Sequence, residues 1–450
     1  VDYAIRVSSI FADITPLKAS RAFRRLWIGN SLSAIGTQLT LVAVSLEIFA
    51  LTGSSGYVGL MGAFALVPLI ITGLYGGAVA DHFDRRKVAL YSSCVLWLTT
   101  VTICAHAWLG IENVWLLYGL VAVHSGASGI NQPTRGAVIP ALVGAELVPA
   151  ANALNMLTMS MAMMLGPLLA GGLVATIGYP WTYTIDAVTF LFTLYAVYRL
   201  PSLPPGLPDG HSPTAQRVGL RSVWEGLQFL GTRKNLRMTF ILDIIAMGTA
   251  FPRAVLPAMG VLILGTSYAQ GLHSGGEDPA ELITGLLLAG IAGGAFVAGL
   301  FSGTFTRITA QGKAVYWAIV VWGASIAVFG LFSWFAIRAA DAGSPSVILL
   351  CAAVAMLVVA GAADSVSGIF RNTILQTAAP DHLRGRLQGV FIVVVTGGPR
   401  IGELLTGGVA AGIGEAVTMI IGGLLCVVGA TIAVRMVPGF LHYDSRDPIA

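Results

Sequence analysis

Apolar stretches of about 20 residues recur along almost the whole chain, separated by short clusters of charge. A helix of that length crosses a hydrocarbon core of ~30 Å while satisfying its own backbone, which lipid cannot do for it. The expectation is an all-α membrane protein. Composition agrees, because 56% of the 450 residues are hydrophobic and only 10% are charged. A mean hydropathy of +0.82 leaves no room for a soluble catalytic domain.

Reading the apolar runs between charges gives twelve spans, at 24–50, 56–79, 88–109, 114–133, 149–176, 181–200, 237–264, 282–305, 314–336, 346–371, 387–410 and 416–437. The connections alternate in charge. One side carries 22 of the 25 Lys and Arg residues, the other only Arg338, and Arg253 and Arg400 lie inside spans. The positive-inside rule then puts both termini in the cytoplasm, with the chain in the cell inner (plasma) membrane. The polar N-terminus, with Arg6, Lys18, Arg21, Arg24 and Arg25, lacks the pattern of a cleaved signal and is expected to stay there. A net charge of +4 gives no argument for a nucleic-acid partner. Cys94, Cys104, Cys351 and Cys426 sit in apolar segments at no metal or redox spacing, so neither a metal site nor a disulfide is expected.

The predicted organisation is a cytoplasmic segment 1–23, a six-helix bundle 24–200, a cytoplasmic linker 201–236, a second six-helix bundle 237–437 and a cytoplasmic tail 438–450. The linker is rich in proline, and its Leu220, Val223, Trp224 and Leu227 have the spacing of an amphipathic helix, either lying at the membrane surface or packed under the bundle as a brace between the halves. A shift of 236 residues lays Gly171–Gly178 on Gly407–Gly414 and Arg135 on Arg371. A shift of 226 lays Gly77, Asp81 and Lys87 on Gly303, Arg307 and Lys313. Two pseudo-symmetric repeats follow, with a binding site expected between them near the midplane. The ten-residue difference is expected in a longer connection around 337–345.

After span 2 the sequence Gly77-Ala-Val-Ala-Asp81-His-Phe-Asp84-Arg85-Arg86-Lys87 resembles the signature loop of the major facilitator superfamily, with His82 and Asp84 departing from it. The resemblance implies the major facilitator fold and a cytoplasmic gate formed by Gly77, Asp81, Arg85, Arg86 and Arg135. In span 5, Gly166, Pro167, Gly171 and Gly172 resemble the antiporter motif of drug-exporting members, where small residues permit a tight, pliable helix crossing. Phe23-Arg-Arg-Leu-Trp27, Asn131-Gln132-Pro133-Thr134-Arg135, Phe251-Pro252-Arg253-Ala254, Ala362-Ala363-Asp364 and Leu383-Arg384-Gly385-Arg386-Leu387 are similar to the enterobactin-exporter and multidrug-efflux branch.

Ionised groups inside a membrane are costly and face a cavity or a partner. Asp243 and Asp364 lie at similar depth in spans 7 and 10 and are candidate proton carriers, with Glu403 the alternate. Arg253 and Arg400, deeper in spans 7 and 11, are candidate partners for those carboxylates or for an acidic substrate group. The competing reading is a set of salt bridges that fastens the second half. Glu47 and Asp186 are expected at the outer interface, and His106 and His124 as satisfied core histidines.

The resemblance implies a secondary transporter that exports an amphipathic small molecule, a siderophore or drug-like compound, by proton antiport through alternating access. No phosphate-binding loop is present, so the expected energy source is the proton gradient, with no cofactor. The expected partners are the small-molecule substrate, protons and the lipid bilayer, and the expected state is a monomer. Proton-coupled uptake is the rival within transport. An intramembrane lipid-modifying enzyme is remote, because the seven histidines are dispersed and match no ligand motif.

Overall fold

The computed structural model describes residues 13–201, 228–264, 279–301, 308–378 and 381–444; the side chains of 74–82, 137, 145, 149 and 376–393 fall outside this description. After a single turn at Thr15–Ala19 come α1 (Arg21–Thr52), α2 (Ser55–His82), α3 (Arg85–Trp108), α4 (Val114–Val143) and α5 (Val148–Tyr198). The second half contains α6 (Lys234–Ala250), α7 (Leu256–Leu264), α8 (Pro279–Leu300), α9 (Gln311–Asp341), α10 (Val347–Ala378), α11 (Asp381–Ile413) and α12 (Glu415–Met436). The described residues form no strand beyond an isolated bridge between Ala310 and Asp444.

Helix starts carry local signals. Ser20 accepts from the Phe23 N–H at 3.2 Å, Asp84 from the Arg86 N–H at 2.9 Å and Asn113 from the Leu116 N–H at 3.2 Å. Each satisfies a donor that the first helical turn leaves open. Asp84 thus has a capping role where the signature loop ordinarily has glycine.

Eight of the described helices are long and apolar enough to cross a membrane. One of them, α5, has 51 residues, which would extend about 75 Å, more than twice a hydrocarbon core. It is broken at Gly178, whose φ of 78° and ψ of 173° turn the chain back, so spans 5 and 6 are its two arms. α4 misses the apolar criterion because His124, Ser125, Ser128 and Asn131 dilute its run. Span 7 is not the continuous helix expected over 237–264. Its first part stops at Ala250, Phe251 is extended, and α7 resumes at Leu256. Pro252 has no N–H to continue the ladder, and the Phe251 carbonyl accepts instead from the Thr406 hydroxyl of α11 at 3.0 Å.

In the first half α1 packs on α5, α2 on α4, and α3 on both α4 and α5. In the second half α9 packs on α10 and α12, α8 on α10, and α6 on α11 and α12. Two major contacts join the halves: α2 against α11, and α5 against α8.

These two crossings are equivalent under the sequence shifts. Gly59 becomes Gly285 under the shift of 226, and Gly171 becomes Gly407 under the shift of 236. In space Gly59 faces Gly407 and Gly171 faces Gly285. A Cβ at Gly407 would lie 3.0 Å from Gly59 Cα, and one at Gly285 would lie 3.0 Å from Gly171 Cα. Beside each crossing a glutamate accepts from a hydroxyl: Ser55 donates to Glu415 at 2.9 Å, and Tyr179 to Glu281 at 2.7 Å. The same shifts exchange these pairs too, Ser55 with Glu281 and Tyr179 with Glu415. The breaks repeat as well, because Gly414 (φ 87°, ψ 153°) ends α11 much as Gly178 divides α5.

The extra length of the second repeat falls near 337–345 as expected, but mostly as helix and not as connection. α9 has 31 residues against 24 in α3, so most of it is helical.

Both crossings lie at the ends of the helices remote from the two chain termini, called here the far face. Trp108 and Trp181 meet edge to face at that end with ring centres 5.2 Å apart. Both are about half exposed, as aromatic side chains at a membrane boundary are.

Candidate functional site

The second half draws its internal charges into two groups. Asp243 of α6 and Asp364 of α10 share one cation, Arg371, which the sequence alone places at the cytoplasmic end of span 10. Arg371 is 4% exposed. One guanidinium nitrogen pairs with Asp243 and the other lies 3.6 Å from Asp364. The Asp243 side chain is buried, whereas that of Asp364 is 38% exposed. Formally this group holds one more carboxylate than cation.

The second group has the opposite imbalance. Arg400 and Glu403, one turn apart on α11, are joined at 3.1 Å, and the Arg253 Nε in the break of span 7 lies 3.8 Å from the other Glu403 oxygen. Glu403 is nearly enclosed, while the Arg253 side chain is 28% exposed. Gly62 of α2 makes room for this pair, since a Cβ there would meet Glu403 Oε2 at 2.7 Å. The charged group therefore abuts one of the two crossings between halves. The three candidate proton carriers and two candidate charge partners all enter these groups, each with a partner of opposite sign. The shared depth of Asp243 and Asp364 is legible in the sequence. Arg371, which joins them, was missed as a site residue, although the shift aligning it with Arg135 was the available signal.

The motifs have identifiable contacts. Gly166 backs onto Gln38 of α1, Gly171 makes the α8 crossing, and Gly172 lies beside Leu282. Arg86 donates to the Tyr198 carbonyl at 2.6 Å and lies over that ring, tying α3 to the end of α5. Arg135 donates to Ser93 at 3.3 Å, and Arg85 begins α3. Asn131 donates to Ser92 and Ser93 at 2.8 and 3.0 Å, which gives its motif a helix-joining role. Gly77 and Asp81 lie in α2, but the contacts of the Asp81 carboxylate are outside the described residues. The side chains of Arg384 and Arg386, and the amphipathic segment at 220–227, are outside them too.

Comparison with known proteins agrees with the helical membrane architecture. The family described as transmembrane secretion effector (MFS_3) matches residues 11–447. The chain belongs to that family of major facilitator transporters. It is similar to the enterobactin exporter EntS of Citrobacter koseri, at 28% identity over 89% of this chain and 88% of that protein. The EntS of Escherichia coli O1:K1 / APEC is 27% identical over the same shares. Among solved structures, the nucleoside transporter NupG superposes with a TM-score of 0.72 at 15% identity, covering 92% of this chain and 98% of that one. A D-xylose-proton symporter gives 0.66 at 14% identity, covering 93% and 98%. These two likenesses concern the fold. The family and these relatives are transporters, so the chain is a multi-pass membrane transporter and not an enzyme.

The transporter also holds titratable groups in its first half that differ from expectation. Glu47 and Asp186 are 7% and 0% exposed, so neither is an interfacial residue. Glu47 accepts from Tyr183 at 2.6 Å and lies 3.4 Å from His106 Nδ1. His106 Nε2 accepts from the Asn113 N–H at 3.4 Å. His124 is a core histidine partnered by Thr99 at 3.3 Å.

Proposed function

We propose that this transporter exports an amphipathic small molecule, siderophore-like or drug-like, in exchange for protons. In this reading it crosses the inner membrane twelve times as two six-helix bundles, with both termini in the cytoplasm. It works as a monomer and uses the proton gradient without a cofactor. The export direction is supported by similarity to the enterobactin exporters, and the orientation by the concentration of Lys and Arg on one side.

The observation that carries the mechanism is the pair of oppositely unbalanced charge groups. Arg253 and Arg400 exceed Glu403 by one cation, and the partly exposed Arg253 can attract an acidic group of the substrate. Asp364 is the carboxylate in excess around Arg371, and its exposed edge can take a proton without breaking the Asp243–Arg371 pair. With the termini inside, the joined far face is external, and in this reading the substrate is loaded from the cytoplasmic side. The glycine crossings then separate for release. An inward proton also draws on the membrane potential, worth about 2.3 kcal/mol per charge per 100 mV.

Proteoliposomes with an imposed pH gradient test this reading, with enterobactin, ethidium and a macrolide as probes. Accumulation against a gradient with counterflow of protons is expected, and Asp364→Asn should retain downhill exchange while losing accumulation. Proton and probe moving in the same direction would replace export with uptake.

A further inference from the structure

The second half pairs each of its described buried acids with arginine, whereas the first half contains one with no cation. Asp186 is 0% exposed in the second arm of α5. Its Oδ2 accepts from the Thr40 hydroxyl of α1 at 2.6 Å. Its Oδ1 is buried and makes no hydrogen bond of good geometry; the fully buried Thr100 hydroxyl of α3 lies beside the carboxyl, close enough to interact with it. No Lys, Arg or His among the described residues forms an ion pair with it. The nearest titratable set on the same three helices is Glu47, His106 and Tyr183, and these are engaged with one another. Cys104 of α3 is turned toward Thr184, and His124 of α4 toward Thr99.

An ionised carboxylate here would be both unpaired and dry, the costliest state for such a group. One proton on Oδ1 removes the charge that no cation balances, and the neutral carboxyl still uses both hydroxyls, with its O–H toward Thr100 and its carbonyl accepting from Thr40. Tyr183 and Asp186 lie one turn apart on α5, and Glu47 lies two turns beyond Thr40 on α1 toward the far face. The three groups therefore form a column running inward from that face.

We propose that Asp186 is a second proton-binding site, separate from the charge groups of the second half and loaded through the Glu47–His106–Tyr183 cluster. An O–H bond forms on Oδ1 with a proton from far-face water, and the same bond breaks to water when the contact between α1 and α5 hydrates. No other reactant is consumed. The neutral acid favours the closed packing of α1 on α5, and the ionised acid favours its opening, so protonation biases the conformational equilibrium. This inference rests on the proton-coupled reading above.

The test uses the full chain in liposomes, with infrared spectra recorded across a pH series. The wild-type protein should show the C=O stretch of a protonated carboxyl, and Asp186→Asn should remove it. Thr40→Val should move it to higher frequency as the carbonyl loses its donor, and Asp364→Asn should leave this band in place. Spin labels at positions 52 and 181, at the far-face ends of α1 and of the second arm of α5, after replacement of the four native cysteines, should report a pH-dependent distance that Asp186→Asn abolishes and Asp186→Glu restores. An unchanged band or an unchanged pH response in Asp186→Asn overturns the site. If the site titrates but a pH gradient drives none of the transport probes, proton antiport falls while the Asp186 assignment stands.

Discussion

Arg371 holds two carboxylates at once, and its removal leaves both without a counter-charge. Breaking such a buried pair costs about 3–5 kcal/mol, more than the pair itself contributes, because the stranded charge has already lost its water. Arg371→Ala should therefore lower the yield and the unfolding temperature of the detergent-purified protein. Asp243→Asn in the same chain should recover much of the loss, because it removes the more deeply buried of the two stranded charges. Asp364→Asn alone should unfold at nearly the wild-type temperature, since that side chain is 38% exposed and Arg371 keeps its pair with Asp243. Equal destabilisation by Asp243→Asn and Asp364→Asn would contradict the division of roles between them.

Among the elements, the two glycine crossings set how closely the halves approach. The nearest atoms across them belong to backbone, which cannot rotate away from an added methyl group. Gly171→Ala and Gly407→Ala should each push the halves apart at the far face, read as a longer distance between labels at 112 and 342. Because the crossings are equivalent, the two substitutions should act in the same direction. The glycines at the breaks behave differently. A Cβ at Gly178 or Gly414 meets open or ordinary space, but their φ of 78° and 87° combined with ψ near 160° is a region essentially reserved to glycine. Gly178→Ala and Gly414→Ala should each lower stability by about 1–3 kcal/mol without altering that distance.

At the scale of the whole molecule, the orientation proposed from charge is open to labelling. Single cysteines at 112 and 343 should react with an impermeant reagent applied to intact cells, and those at 84 and 235 should react only after permeabilisation. The reverse pattern would turn the transporter over and make the joined face cytoplasmic. Helical membrane architecture was legible in the sequence because lipid imposes a length and an apolarity on every crossing, and both are local properties. The equivalence of the two crossings was legible too, since shifts of 226 and 236 residues align the glycines that they use. What the sequence could not supply was which groups meet. Arg371 reads as one of the cations that end a span until α10 carries it beside Asp243, and Asp186 reads as interfacial until α1 and α3 close over it. Span 7 reads as one helix until the Thr406 hydroxyl of α11 donates to the Phe251 carbonyl beside Pro252. Apolarity is summed along the chain, so the sequence determines that these segments enter the membrane; the partner of a buried charge lies on another helix, so only tertiary packing decides whether that charge is paired, neutral or free to move a proton.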